Sequence, residues 1–349
     1  MLGFVQRIEQ RPLPVLLVGG RLQEKRAQAK RRGVRQRTDA GNRQALRSPE
    51  NMLYDCLPGS LRWLTAAMLC ALLATPLAQA QDADALKARH GVLQGALANN
   101  AFQRPLFLES KENADALRGD IYARIDQPFA VVGPALQGIA HWCEILILHL
   151  NVKRCLATPP RSGDTMALVI GRKFNQALAE AYAFEFAYKV VAAQPGYLQV
   201  QLHADEGPLG TSRYRIVLEI VALDAGRSFL HLSYAYGYGM AARLAMQGYL
   251  ATLGRAKVGF SVIGSQANGE PIYIGSTRGV IERNTMRYYL AIEAYLGALA
   301  TPAPQQLAKR LNDWHSGVER YPVQLHELSR DEYLSLKRDE VQRQKALGG

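Results

Sequence analysis

Within a span of fifteen positions, His141, Cys143, His149 and Cys155 offer four nitrogen or sulfur donors. Two chemistries suit such a set. A disulfide between Cys143 and Cys155 would close a loop of eleven intervening residues and restrict the unfolded chain by roughly 3 kcal/mol. A zinc site would use all four donors, but His141-x-Cys143 is tighter than the spacing of structural zinc sites. The disulfide is the first reading, with two free buried thiols and zinc as alternatives, and no metal or cofactor is expected. The usual catalytic signatures are missing: there is no G-x-S-x-G elbow, no H-E-x-x-H and no C-x-x-C. Ile274-Gly275-Ser276-Thr277 lacks the lysine and the first glycine of a phosphate loop, so the glycine is assigned to a turn entering a helix. His231 is expected to be an ordinary surface histidine beside Ser233.

Aromatic residues carry more information. Tyr182, Phe184, Phe186 and Tyr188, then Tyr214, then Tyr234, Tyr236 and Tyr238 occupy alternate positions of successive apolar runs, which places them on one face of a sheet. Aromatic side chains fit a pleated surface, so packing explains part of this. A buried tyrosine hydroxyl also needs a partner or water, and amphipathic cavity walls supply that more readily than a dry core. A ligand cavity and a filled core both remain open on this pattern. On the opposite parity stand Glu185, Lys189, Arg213, Arg215 and Glu219, expected to form a solvated face with cross-strand ion pairs.

These side chains need elements to hold them. Residues 81–116 read as a helical segment ending in a polar linker. Ile121, Ala123 and Ile125 alternate as a strand, and the apolar runs Ile145–Val152 and Met166–Ile170 suit buried strands. The aromatic runs, with Leu198, Val200 and Leu202 and with Ile216, Leu218 and Ile220, form an antiparallel meander joined by turns at Gln194-Pro195-Gly196 and Asp224-Ala225-Gly226. A helix over 241–253 and a hairpin over Asn268-Gly269 follow. Ser276 or Thr277 is placed to cap a long helix reaching about Leu299, on which Ile281, Tyr288, Ile292, Tyr295 and Leu299 make an apolar stripe. Pro302 and Pro304 end it. Leu307, Leu311, Trp314 and Val318 mark another helix, and the capping box Ser329-x-x-Glu332 opens a last one.

The formal charge of +12 is unevenly spread: residues 1–80 hold 13 of the 42 Lys and Arg but 5 of the 30 Asp and Glu. The remainder carries 29 against 25, or +4, which does not call for a nucleic-acid partner. Arg62, the run Ala66–Leu77 (apolar apart from Thr75) and Ala78-Gln79-Ala80 have the form of a cleaved export signal, too short to span a bilayer. Translation is accordingly expected to start at Met52, with 1–51 an over-extended gene start, 52–80 the signal peptide, and a mature periplasmic protein beginning at Gln81.

By the order of its elements the chain resembles the START-related, polyketide-cyclase-like helix-grip superfamily. Ile121–Ile125 stands for the first strand, Asp126-Gln127-Pro128-Phe129-Ala130-Val131-Val132 with Leu136 and Trp142 for the strand-to-helix passage, the strands up to Tyr238 for the meander, and Gly279–Leu299 for the gripping helix. The resemblance covers about 117–300, with the 241–275 segment inserted and 301–349 as a helical extension. It implies an α+β fold, a curved antiparallel sheet gripping a long C-terminal helix. It also implies a cavity for a lipid, sterol, polyketide or similar apolar small molecule. Phe184, Phe186, Tyr214, Tyr234, Tyr236, Tyr288 and Tyr295 would line it, and the helix at 241–253, with Arg243, would serve as a lid. Three functions stay open: a carrier of an apolar or amphipathic ligand with at most transient membrane contact, a cyclase- or hydrolase-type enzyme using the same cavity, and an envelope structural factor without ligand. Oligomeric state is left open.

Overall fold

Alternation of apolar and polar residues over 182–238 demands strands with one buried face, and a computed structural model describing residues 82–158, 164–252 and 254–348 shows how they assemble. The strands are β1 (Leu106–Glu112), β2 (Ala116–Ile125), β3 (Val152–Thr158), β4 (Thr165–Ile170), β5 (Tyr182–Gln194), β6 (Tyr197–Glu206), β7 (Thr211–Ala222) and β8 (Ser228–Tyr238). They form one antiparallel sheet in the order β1-β2-β8-β7-β6-β5-β4-β3. Six consecutive strands are therefore hairpin neighbours, and the single long crossing brings β2 beside β8, with Ile121 opposite Leu232. Two helices, α2 (Phe129–Gln137) and α3 (Ile139–Leu146), carry the chain from β2 to the far edge. A helix over 82–98, α1, precedes the sheet.

After β8 come α4 (Met240–Ala251), the hairpin β9 (Val262–Ser265) and β10 (Pro271–Tyr273), and α5 (Ser276–Gly297). Helices α6 (Ala303–Glu319), α7 (Pro322–Leu325) and α8 (Arg330–Gly348) complete the chain. The inner face of the sheet packs on α5, with Ile121, Leu202, Leu218, Leu232, Ile281 and Ile292 all within one buried cluster. Contact is close at Gly119 of β2, where a Cβ would lie 2.3 Å from Thr285 Oγ1 of α5. Glycine lets the helix settle on the strand at that point. The sheet closes on its long helix, which is the helix-grip α+β arrangement expected from the element order.

On the outer face α1 presents Leu86, Leu93 and Leu97 to Tyr122, Tyr197, Val221 and Phe229. The disulfide expected from the sequence joins Cys143 of α3 to Cys155 of β3, with Cα atoms 5.2 Å apart, inside the ordinary range for such a bond. Behind it, α8 is fastened to β3 by a fully buried array. Glu340 accepts from Lys153 and Lys337 at 2.8 Å each, and Lys337 also donates to the carbonyls of His149 and Val152.

Three expectations need correction. The N-terminal segment is helical only over 82–98, and Leu106–Glu112 is an edge strand whose buried Leu106, Leu108 and Ser110 alternate too briefly to stand out. The run Ile145–Val152 is not a strand: α3 ends within it and a turn leads into β3. It is apolar apart from His149 and Asn151 because it is buried apart from Asn151, and near-uniform burial erases the period that separates helix from strand. Neither Ser276 nor Thr277 caps α5. Its N-cap is Gly275 without a side-chain bond, and the Thr277 hydroxyl donates to Glu112 instead, at 2.6 Å. In α4, the helix expected as a lid, Arg243 donates to the Ala114 carbonyl and lies 5.6 Å from the Tyr238 ring centre. The capping box holds as expected, since Glu332 accepts from the Ser329 amide at 2.9 Å and from its hydroxyl. The export signal and start site, residues 1–81, lie outside the described residues.

Candidate functional site

Period-two alternation in β5, β7 and β8, together with a turn-spaced residue on α5, brings six aromatic rings into one continuous cluster. Phe184 lies 5.3 Å from Phe186 and 5.8 Å from Tyr214, ring centre to ring centre. Tyr214 stacks on Tyr236 at 5.3 Å, Tyr236 meets Tyr234 at 5.6 Å, and Tyr234 meets Tyr288 of α5 edge to face at 5.1 Å. Phe186, Tyr214, Tyr234, Tyr236 and Tyr288 are all buried, and Phe184 is half-buried.

The hydroxyls distinguish this face from a dry core. Tyr214 donates to Thr211 Oγ1 at 2.8 Å. Among the described residues, the hydroxyls of Tyr234, Tyr236 and Tyr288 have no protein partner, and none of the three is completely buried. Three nearly buried side chains thus carry free donors on one aromatic wall. Burial drives the pKa of Tyr234, Tyr236 and Tyr288 upward, and neighbouring tyrosines add to the effect. All three stay protonated at neutral pH, so they offer hydrogen bonds to an acceptor and no general base.

Tyr295, expected on the same wall, is elsewhere. Its ring lies 4.3 Å from the Arg310 guanidinium and 5.9 Å from the His141 ring, so it packs α5 against α6 and α3. It lies two turns of α5 beyond Tyr288, past the end of the sheet cluster. The histidines of the zinc alternative are also accounted for. Both sulfurs are in the disulfide, and no group of metal-ligating side chains exists among the described residues. His149 stacks on Tyr288 at 4.8 Å and accepts from the Asn151 amide at 3.2 Å. Burial, followed by the charge of Arg287, holds its pKa well below the usual value.

His231 is the main polar residue that the sequence misplaced. It is 7% exposed, on the outer face of the sheet beneath α1. Its Nε2 lies 2.9 Å from Asp120 and its Nδ1 2.7 Å from Glu219. Tyr122 stacks flat on the ring, 4.3 Å away at 3°. Arg118 bonds Asp120 at 2.8 Å, and the Tyr197 hydroxyl donates to Glu219 at 2.9 Å. Burial alone would lower the histidine pKa, but the bonds to Asp120 and Glu219 leave it raised. Register made this legible in principle, because Glu219 and His231 are direct cross-strand partners of β7 and β8. Of the other polar-parity residues, Arg213 bonds Asp115 at 2.7 Å. Glu185, Lys189 and Arg215 are exposed and make no ion pair among the described residues.

The fold and its inner face define a helix-grip protein with an aromatic, hydroxyl-bearing wall between sheet and helix. No family model and no curated protein matches the chain. Among solved structures it is similar to norcoclaurine synthase from Thalictrum flavum in complex with dopamine and hydroxybenzaldehyde, at 10% identity over 42% of this chain and 80% of that one, TM-score 0.28. It is also similar to the lipid transfer and protein localization domain of human StarD13, at 12% identity over 46% and 87%, TM-score 0.28. A START superfamily protein from Mycobacterium smegmatis gives 12% over 42% and 92%, TM-score 0.25. Likenesses this distant carry no weight for function.

Proposed function

We propose that the chain binds an apolar or amphipathic, lipid-like small molecule between the inner face of the sheet and α5, and carries it after export. The observation that supports this is the set of free, reachable hydroxyls on Tyr234, Tyr236 and Tyr288 within an otherwise apolar wall. A filled core would leave three donors without acceptors, each costing about 1–3 kcal/mol. A ligand with an apolar body and one acceptor end removes that cost and gains roughly 25 cal/mol per Å² of apolar surface taken from water. The Cys143–Cys155 bond fits an oxidising compartment such as the periplasm, and the export reading adds the sequence from Arg62 to Ala80.

The test pairs stability with binding. Tyr236→Phe removes one hydroxyl and no ring contact, so thermal melts should be unchanged while a fluorescent fatty acid or sterol binds more weakly. A wild-type protein, stripped of bound lipid, that takes up neither probe would count against the proposal.

A further inference from the structure

The outer side of α5 carries a charge imbalance that the aromatic wall does not explain. Arg283 and Arg287 are one turn apart on the helix, each about 3% exposed or less. Lys173, from the loop after β4, and Lys257, from the loop after α4, reach the same place. One carboxylate, Glu327, serves this group: it bonds Arg287 at 3.0 Å and pairs with both lysines. Four cations therefore face two acids, and Glu327 alone forms ion pairs with them. Glu282, the next acid along α5, accepts from the Phe260 and Ser261 amides and the Ser110 and Ser261 hydroxyls and acts on Arg283 through its charge alone.

Arg283 makes the case sharpest. Its Nη1 donates to the Val258 carbonyl at 3.0 Å, and among the described residues it has no carboxylate partner. Among the described residues its Nε and Nη2 have no partner and are not completely buried, in contrast to Arg287 Nε, which is. A guanidinium is charged at neutral pH, and a buried one with no carboxylate bonded to it is expensive to fold. Two unbonded donors of a fork-like group, one helical turn from the Arg287–Glu327 pair, match the oxygens of a phosphate. Burial, followed by the charge of Arg287, lowers Arg283 to about 10 and Lys173 to about 7. A bound anion would relieve this crowding.

We infer that Arg283, Arg287, Lys173 and Lys257 form a binding site for a phosphate-type oxyanion, which neutralises the excess charge that Glu327 leaves. The anion is either free phosphate or the headgroup of an amphipathic phosphate ester, since Arg287 adjoins Tyr288 on α5. The site goes beyond the lipid-like ligand proposed above and does not depend on it.

The experiment titrates the full chain with inorganic phosphate, dodecyl phosphate and dodecanol, and repeats each titration with Arg283→Gln and Lys173→Met. Dodecyl phosphate should bind at least about tenfold more tightly than dodecanol, and each substitution should remove about tenfold of that advantage, the scale of one charge-assisted hydrogen bond. Dodecanol should be unaffected by either. Lys173 is the more exposed of the two, so its variant keeps the test valid if Arg283→Gln folds poorly. Competition by inorganic phosphate assigns the site to a free oxyanion, and its absence assigns it to a headgroup. Equal binding of dodecyl phosphate and dodecanol, with no stabilisation by phosphate, overturns the inference. Phosphate binding that depends on Arg283, with no uptake of either alkyl probe, would uphold it while removing the lipid-like reading.

Discussion

Replacing His231 by alanine isolates the buried array under α1. The ring bridges Asp120 and Glu219 at 2.9 and 2.7 Å, and its removal leaves two facing carboxylates with one cation fewer. Breaking a buried pair by deleting one partner costs about 3–5 kcal/mol. The lower end applies here, because Arg118 still holds Asp120 and the Tyr197 hydroxyl still holds Glu219. Loss of the flat stack with Tyr122 adds about 1 kcal/mol, so the expected cost is about 3–4 kcal/mol. The pH dependence has a definite sign. His231 is raised from 6.5, so its contribution is complete below that value and fades as pH climbs through the folded-state pKa. Burial alone would raise Asp120 and Glu219, but the bonds of both to His231, with Arg118 bonding Asp120 and the Tyr197 hydroxyl bonding Glu219, leave them lowered from 3.8 and 4.5. Their contribution is complete above those values and is lost as pH falls through their folded-state pKa values. The difference between wild type and His231→Ala should therefore be widest between about pH 4.5 and 6.5 and narrow towards alkaline pH. Urea unfolding followed by circular dichroism at pH 6 and pH 9 measures it. A cost below about 1 kcal/mol at pH 6, or one that grows towards pH 9, would refute the reasoning.

Removing the disulfide by Cys143→Ser with Cys155→Ser should cost about 2–5 kcal/mol, and peptide mapping without reductant should show one linked pair. Gly119→Ala forces its new Cβ against Thr285 and should destabilise by about 1–3 kcal/mol; adding Thr285→Ala should recover part of that in the same melts. Phe186→Ala, at a position 3% exposed, would cost about 3–5 kcal/mol in a filled core and less where the ring borders a ligand space, whereas Tyr236→Phe should shift stability by no more than about 0.5 kcal/mol.

How far the molecule was legible in its sequence follows from burial. Strands β5 to β7 alternate because their outer face is mostly exposed or half-buried, β8 keeps the same alternation although both its faces are buried, and parity placed Phe186, Tyr214, Tyr234 and Tyr236 together. Residues 145–152 show no period, since α8 encloses them from behind, and a helix end there reads like a strand. His231 looked like a surface residue because polar parity does not show that α1 covers the outer face. Tyr295 shares the stripe of Tyr288, yet a stripe on a helix longer than the sheet is wide must serve two partners. The cations of α5 were invisible for a related reason. Lys173, Lys257 and Glu327 come from three separate loops, and only the fold brings them beside Arg283.

Native mass spectrometry of the full chain as purified tests the central proposal most directly. The account predicts a bound species of lipid-like mass at one per chain, lost or reduced when Tyr234, Tyr236 and Tyr288 are all changed to phenylalanine, with the fold retained. A bare chain that also refuses added fatty acid or sterol would contradict it, and would make the aromatic face a packed core.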